Sequence, residues 1–243
     1  MAIILGLDFE TTGTNPHAEG FEVIEVGAAL LNGLTGQLIE MHSWLISTNV
    51  DIPDSVMKLT GLDNRILALE GHHLKIVDEE LSYLIQRADY LCAHNHGYEK
   101  AVLELFLGLA WGKAESKQWI DTMTDLPNGV GNSNLTTVAA NHRFINPFPH
   151  RALPDVLIML AVLAQYDFAE VERNVLAESV ELSIYIPFNG GEESREQAKA
   201  LGYRWNPERK IWVKTVKAFQ MDGELEKAHS VALFPAIPAG IPL

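Results

Sequence analysis

Cysteine is nearly absent from this 243-residue chain, which has one, Cys92, inside the apolar run Tyr90–Ala93. A single thiol excludes any intramolecular disulfide, and its neighbours predict a buried, inert side chain in a protein of a reducing compartment. Long hydrophobic runs are missing as well. No stretch approaches the roughly 18 apolar residues that cross a bilayer, and the opening MAIILGLDFE is apolar for too few residues to be a signal segment. The expectation is a cytoplasmic protein with no membrane partner. Positive charge is scarce: 18 Lys and Arg stand against 32 Asp and Glu, a formal net charge of −14. Such a field repels polyanions and excludes unspecific coating of nucleic acid. It leaves room for a site where carboxylates hold divalent cations, because bound cations reverse the local potential.

What is present is enough apolar material, 47% of the residues, for one α/β core with roughly 70 residues to spare. Residues 2–9, 21–31 and 36–46 read as three strands, the last two joined by the turn-prone NGLTG, so an antiparallel meander opens the chain. Helical patterns follow at 54–61, 75–88 and 98–110, with short buried strands at 89–95 and 117–122 between them. The Gly-, Asn- and Pro-rich segment 123–149 carries at most one helix, near 133–142, and 152–170 reads as one long apolar helix. The fold class expected is α/β, a mixed sheet flanked by helices on both faces. The apolar stripe fades over 171–183, which predicts a linker. Beyond it, a strand at IYIPF, a helix, a hairpin RWNPERKIWVK and a helix near 216–228 form a small α+β module. The expected division is 1–172, 184–228 and an apolar, proline-rich tail 229–243.

Asp8 and Glu10 lie two apart at the end of an apolar strand, so both side chains share one face and can converge on one cation. A polar strand end would show the same pair, but burying charge beside an apolar run without a counter-ion is costly. Pro154 fits only the first turn of a helix, which leaves His150 on the loop before it. Of the nine histidines, His72, His73, His142 and His229 read as solvated.

GLDFETTGTNP, FEVIEVGAALL, CAHNHGYEKAVL and PHRALPD resemble, in order and spacing, the motifs of the DEDDh 3′-to-5′ exonucleases within the ribonuclease-H-like superfamily. The resemblance spans about residues 2–165. It implies that Asp8, Glu10, Glu99 and Asp155 hold two Mg²⁺ or Mn²⁺ ions, one activating a water and the other stabilising the leaving 3′ oxygen, with His150 as general base. Oxygen-only ligands suit those hard cations. It also implies that Phe9, Thr11, Thr12 and Asn95 contact the terminal nucleotide, although TTG alone reads as a turn. The chain departs from the family's HN-x-x-F-D motif with HNHGYE, placing Tyr98 where phenylalanine is usual and Glu99 where aspartate is. The extra methylene displaces a carboxylate by roughly 1.5 Å, which bears on rate more than on chemistry.

Between Arg195 and Lys217 seven basic residues face two acidic ones, near +5 in a chain of −14. Tyr203, Trp205 and Trp212 interleave with Arg204, Arg209, Lys210 and Lys214, a mix suited to single-stranded nucleic acid, with Trp205 and Arg209 as the named contacts. A core of tryptophans under a solvated basic face is the plainer alternative. The stretch also resembles a small uncharacterised module of phage and plasmid DNA-processing proteins, with Asn206 where aspartate is usual. The function expected is release of nucleoside monophosphates from single-stranded 3′ ends, DNA favoured over RNA. The alternatives are a weakened nucleic-acid-binding or partner-docking protein, and a proofreading subunit held to a polymerase through the tail.

Overall fold

Alternation along the first strand, β1 (Ile3–Thr11), decides where the acids point. Leu5, Leu7 and Phe9 enter one hydrophobic core and Ile4 another. Successive strand residues face opposite sides, so Gly6, Asp8 and Glu10 share the side of Ile4. The computed structural model describes residues 2–127, 134–186 and 191–235. In it, β1 pairs antiparallel with β2 (Val23–Asn32), which pairs antiparallel with β3 (Gln37–Leu45). On its other side β1 runs parallel to β4 (Tyr90–Ala93), itself parallel to β5 (Gln118–Asp121), giving the order β3-β2-β1-β4-β5. This is the mixed sheet the patterning predicts.

Helices α1 (Asp54–Thr60), α2 (Asn64–Glu70), α3 (Leu74–Arg87), α4 (His96–Phe106) and α5 (Gly108–Ala114) precede β5; α6 (Leu135–Asn141), α7 (Ala152–Leu163) and α8 (Phe168–Leu176) follow it. Leu81 and Ile85 of α3 and Val102 and Leu103 of α4 cover the Leu5 face, whereas Val156, Met159 and Leu160 of α7 and Val171 of α8 cover the Ile4 face. Helix α7 presses closely on the strands because two glycines admit it. A Cβ on Gly27 would stand 2.4 Å from the Ala152 carbonyl carbon, and one on Gly6 2.9 Å from Val156 Cγ1. Gly27 is also the cross-strand partner of Asp8, so the start of α7 is held directly over the acids of β1.

Several boundaries differ from the sequence reading. The expected long helix 152–170 breaks after Leu163, with α7 and α8 inclined at 102° and Asp167 capping α8 through Ala169 N–H at 3.0 Å. The expected linker 171–183 is instead the rest of α8 followed by a strand, β6 (Ser179–Ile184), which buries Val180, Leu182 and Ile184 in alternation. Helix α2 lies where none was expected, capped by Asp63. The helix expected at 98–110 is two, broken at Leu107. No single helix among the described residues is long and apolar enough to cross a membrane.

The last part is a second sheet, ordered β6-β8-β7, from β6, β7 (Arg204–Asn206) and β8 (Ile211–Lys217), with α9 (Glu192–Ala200) and α10 (Met221–Ser230). Its own core joins Val180, Leu182, Tyr203, Trp212 and Val216. The hairpin is as expected, but 216–217 belong to β8 and the final helix begins at Met221. Gln220 Nε2 donates to Thr124 O at 2.6 Å and Lys217 Nζ lies 3.5 Å from Asp125 Oδ1, so the small sheet rests on the segment after β5. Of the tail, Leu233 packs into this core; 236–243, residue 133 and the 187–188 end of IYIPF lie outside the described residues.

Candidate active site

Asp8, Glu10 and Asp155 each present a carboxylate oxygen within 4.8 Å of the others'. Strand alternation and the glycine-seated α7 produce this convergence from residues nearly 150 positions apart. Asn146 Nδ2 and the His150 backbone N–H, the latter at 3.2 Å, donate to the two oxygens of Asp155 and fix its plane. His150 itself is exposed, precedes the helix, and holds φ at 62°, a left-handed value uncommon for a side-chain-bearing residue. Glu99, in the first turn of α4, stands outside the three-acid group yet is 4% exposed, and its Oε2 has no hydrogen-bond partner. A buried carboxylate oxygen without a partner is costly unless something cationic or protic completes it.

Burial, followed by the charges of Glu99, Glu10 and Asp155, pushes the Asp8 carboxyl well above its ordinary range. Burial, then Asp155 and Glu25, raises Glu10 to about 8. Burial likewise raises Glu99 and Asp155. All four acids therefore resist ionisation, and divalent cations are the charge-compensating groups that all-oxygen donors accept.

This has a measurable consequence for stability. A carboxyl whose folded value lies above its unfolded one stabilises the fold fully below the unfolded value and loses that contribution as pH rises through the folded value. In EDTA the melting temperature should fall between about pH 4.5 and about pH 8, the window set by Glu10, and Mn²⁺ should restore it most at the alkaline end. Glu10→Gln should flatten the EDTA profile. A metal-free profile that rises across this window, with no Mn²⁺ effect, would contradict the assignment.

Two residues that sequence reasoning missed hold the site together. Glu25 on β2, opposite Glu10 in register, is fully buried and accepts two bonds from Arg151, Nε to Oε2 and Nη2 to Oε1, both 2.8 Å, plus Ala152 N–H at 3.1 Å. A bidentate arginine–carboxylate pair of this kind is geometrically specific. It anchors the residue beside His150 to the central sheet. An acid inside the otherwise apolar VIEVGAALL was the available signal for Glu25; Arg151 gave none beyond its place between His150 and α7.

The expected nucleotide contacts fare differently. Phe9 is 5% exposed and its ring belongs to the core. The Thr12 hydroxyl is occupied, donating to Gly20 O at 3.1 Å and accepting from Glu22 N–H at 2.9 Å. Thr11 Oγ1 bonds Gly13 O at 2.7 Å and the Tyr98 hydroxyl at 2.6 Å. The hydroxyl that distinguishes Tyr98 from phenylalanine thus clamps the turn after β1 to α4. Asn95 is exposed at the end of β4 in left-handed conformation, φ 76°, its N–H donating to Asp121 Oδ1 at 2.9 Å. Trp205 and Arg209 lie on the small sheet, where Arg209 pairs with Glu181 Oε1 at 2.6 Å. His142 is not a solvated histidine: Nδ1 bonds Val138 O at 2.7 Å and Nε2 bonds the Tyr166 hydroxyl.

A central strand delivers two acids beneath a helix that delivers a third, in a five-stranded mixed sheet of the ribonuclease-H-like fold. The chain belongs to the exonuclease family (RNase T), whose sequence profile matches residues 5–163. Members work with divalent metal ions, and the acidic cluster for them is present. The 3′-5′ exonuclease DinG of Bacillus subtilis is 29% identical over 165 residues, 65% of this chain but only 17% of that protein's length. Among solved structures, the nuclease domain of 3′hExo, a DEDDh family member bound to rAMP, superposes with a TM-score of 0.55 at 18% identity, covering 67% of this chain and 90% of the other. Escherichia coli exonuclease I in complex with a dA16 oligonucleotide gives 0.61 at 10% identity, covering 96% and 68%.

Proposed function

We propose that this chain removes nucleoside monophosphates one at a time from single-stranded 3′ ends, DNA in preference to RNA, with Mg²⁺ or Mn²⁺ as a pair of ions. The observation that carries the reading is the convergence of Asp8, Glu10 and Asp155 within 4.8 Å beside the unpartnered Oε2 of buried Glu99. When bound, the ions would polarise the scissile phosphate and offset charge on the leaving 3′ oxygen. His150, exposed on the loop ahead of α7, accepts a proton from the attacking water. Asn146 and the His150 N–H keep Asp155 in one orientation, and the Glu25–Arg151 pair keeps the loop in register with β2. Glutamate at position 99 is compatible with activity, because its carboxyl is buried close enough for its charge to bear on Asp8.

Single-stranded DNA is favoured by the likeness to exonuclease I, which was seen with dA16 and whose match extends over the small sheet as well. The 3′hExo nuclease domain, bound to rAMP, is the reason to test RNA beside it. Competition between 5′-labelled DNA and RNA of equal sequence, with Mg²⁺, should give a higher kcat/KM for DNA. Equal values, or preference for RNA, would overturn the choice of sugar while leaving the chemistry in place.

A further inference from the structure

Outside the carboxylate site, Tyr185, Ile186, Arg195, Trp205, Lys210 and Trp212 line a cavity of about 520 Å³ on the small sheet. Trp205 and Trp212 are cross-strand partners on β7 and β8, their rings 5.9 Å apart and inclined at 60°. Trp212 is core, 7% exposed, but Trp205 is 47% and Tyr185 71% exposed. Folding has therefore left two aromatic faces open at one place, the mark of an occupant.

Four of the module's cations sit in ion pairs with acids. Of the seven basic residues between 195 and 217, Lys199 pairs with Glu196, Arg209 with Glu181, buried Lys214 with Glu224, and Lys217 with Asp125. Arg204 is exposed on β7. Arg195 and Lys210 line the cavity, and no acid among the described residues does. Lys210 holds φ at 52° in the turn whose Asn206 Oδ1 accepts Glu208 and Arg209 N–H at 3.1 and 2.9 Å. Glycine takes that conformation with less strain, so the turn itself does not call for a lysine.

We infer that this groove is a second binding site, for single-stranded nucleic acid, in which bases stack on Trp205 and Tyr185 while Arg195 and Lys210 face the phosphates. Rings supply base stacking and cations supply phosphate contact. A duplex hides its base faces and an acidic peptide has none, so both fit the exposed rings less well. In a chain of net charge −14, a groove whose described lining holds two cations and no acid selects a polyanion locally. The inference builds on the exonuclease reading, since the strand held is the one degraded, but its test needs no turnover.

The experiment is fluorescence anisotropy of a labelled oligothymidylate of about 20 nucleotides with the full chain in EDTA. Because stacking is worth about 1–3 kcal/mol per base, Trp205→Ala and Tyr185→Ala should each weaken binding roughly 5- to 150-fold. Lys210→Gly should weaken it and lower the salt dependence by about one phosphate contact, while its melting temperature stays at or above that of the unaltered protein. Both aromatic side chains are exposed, so thermal melting should show these variants folded. Unchanged affinity in the aromatic variants, equal affinity for a duplex, or displacement by polyglutamate as effective as by unlabelled strand would each overturn the inference. Hydrolysis by the unaltered protein is followed separately, so a failure of the groove and a failure of the exonuclease reading are seen in different measurements.

Discussion

Asp155→Asn should reduce hydrolysis by on the order of 10³-fold without unfolding the protein, and Asp8→Asn should do the same. Each change removes a metal-facing oxygen while keeping the side chain's shape. Metal ions in such sites contribute several kcal/mol of transition-state stabilisation, and each ~1.4 kcal/mol is a factor of ten in rate. The fold should tolerate the loss because burial and neighbouring acids raise both carboxyls, so neutralising one relieves repulsion. In EDTA near pH 8 the variants should melt at or above the temperature of the unaltered chain. Asparagine at 155 can still accept the His150 N–H through its carbonyl, while Asn146 must turn its own amide oxygen towards the new NH₂. Retention of more than a few per cent of kcat in either variant would remove these acids from the chemistry.

His150→Ala should lower kcat by roughly 10²–10⁴-fold, the usual contribution of a positioned acid–base group, with KM and Mn²⁺ affinity little altered. The imidazole is exposed, whereas the His150 backbone N–H, which alanine keeps, is the group that bonds Asp155. The substitution therefore isolates the side chain's proton chemistry from its loop's structural role. Added imidazole should recover part of the rate. Wild-type kcat from about pH 6 to about pH 9 would exclude the general-base role.

Much of the site was legible in the sequence because its signals are local. Acids at positions 8 and 10 close an apolar strand, and Pro154 fixes where α7 begins. The same local reading failed where a side chain's meaning depends on a distant partner. Glu25 is an odd acid in an apolar strand until Arg151, 126 residues later, explains it. Asn146 lies in a loop without periodicity. Phe9 sits between two site acids, and only the alternation of β1 shows that its ring turns to the opposite core. The module's basic stretch reads as near +5 in sequence, with Arg209 a named contact; four of its cations, Arg209 among them, are tied to acids on other elements or along their own helix. The supposed linker was misread because α8 carries its stripe on only three residues, Phe168, Val171 and Val175. The edge strand β6 is short and half polar.

The account's central claim is hydrolysis from the 3′ end by a metal-filled carboxylate site. It is tested most directly by a time course on a 5′-labelled single strand with Mg²⁺ and, in parallel, with EDTA. The expected result is a ladder shortening one nucleotide at a time from the 3′ end, with 5′-monophosphates released and no products in EDTA. Immediate release of the label as a mononucleotide, internal cleavage, or a ladder unaffected by EDTA would contradict it.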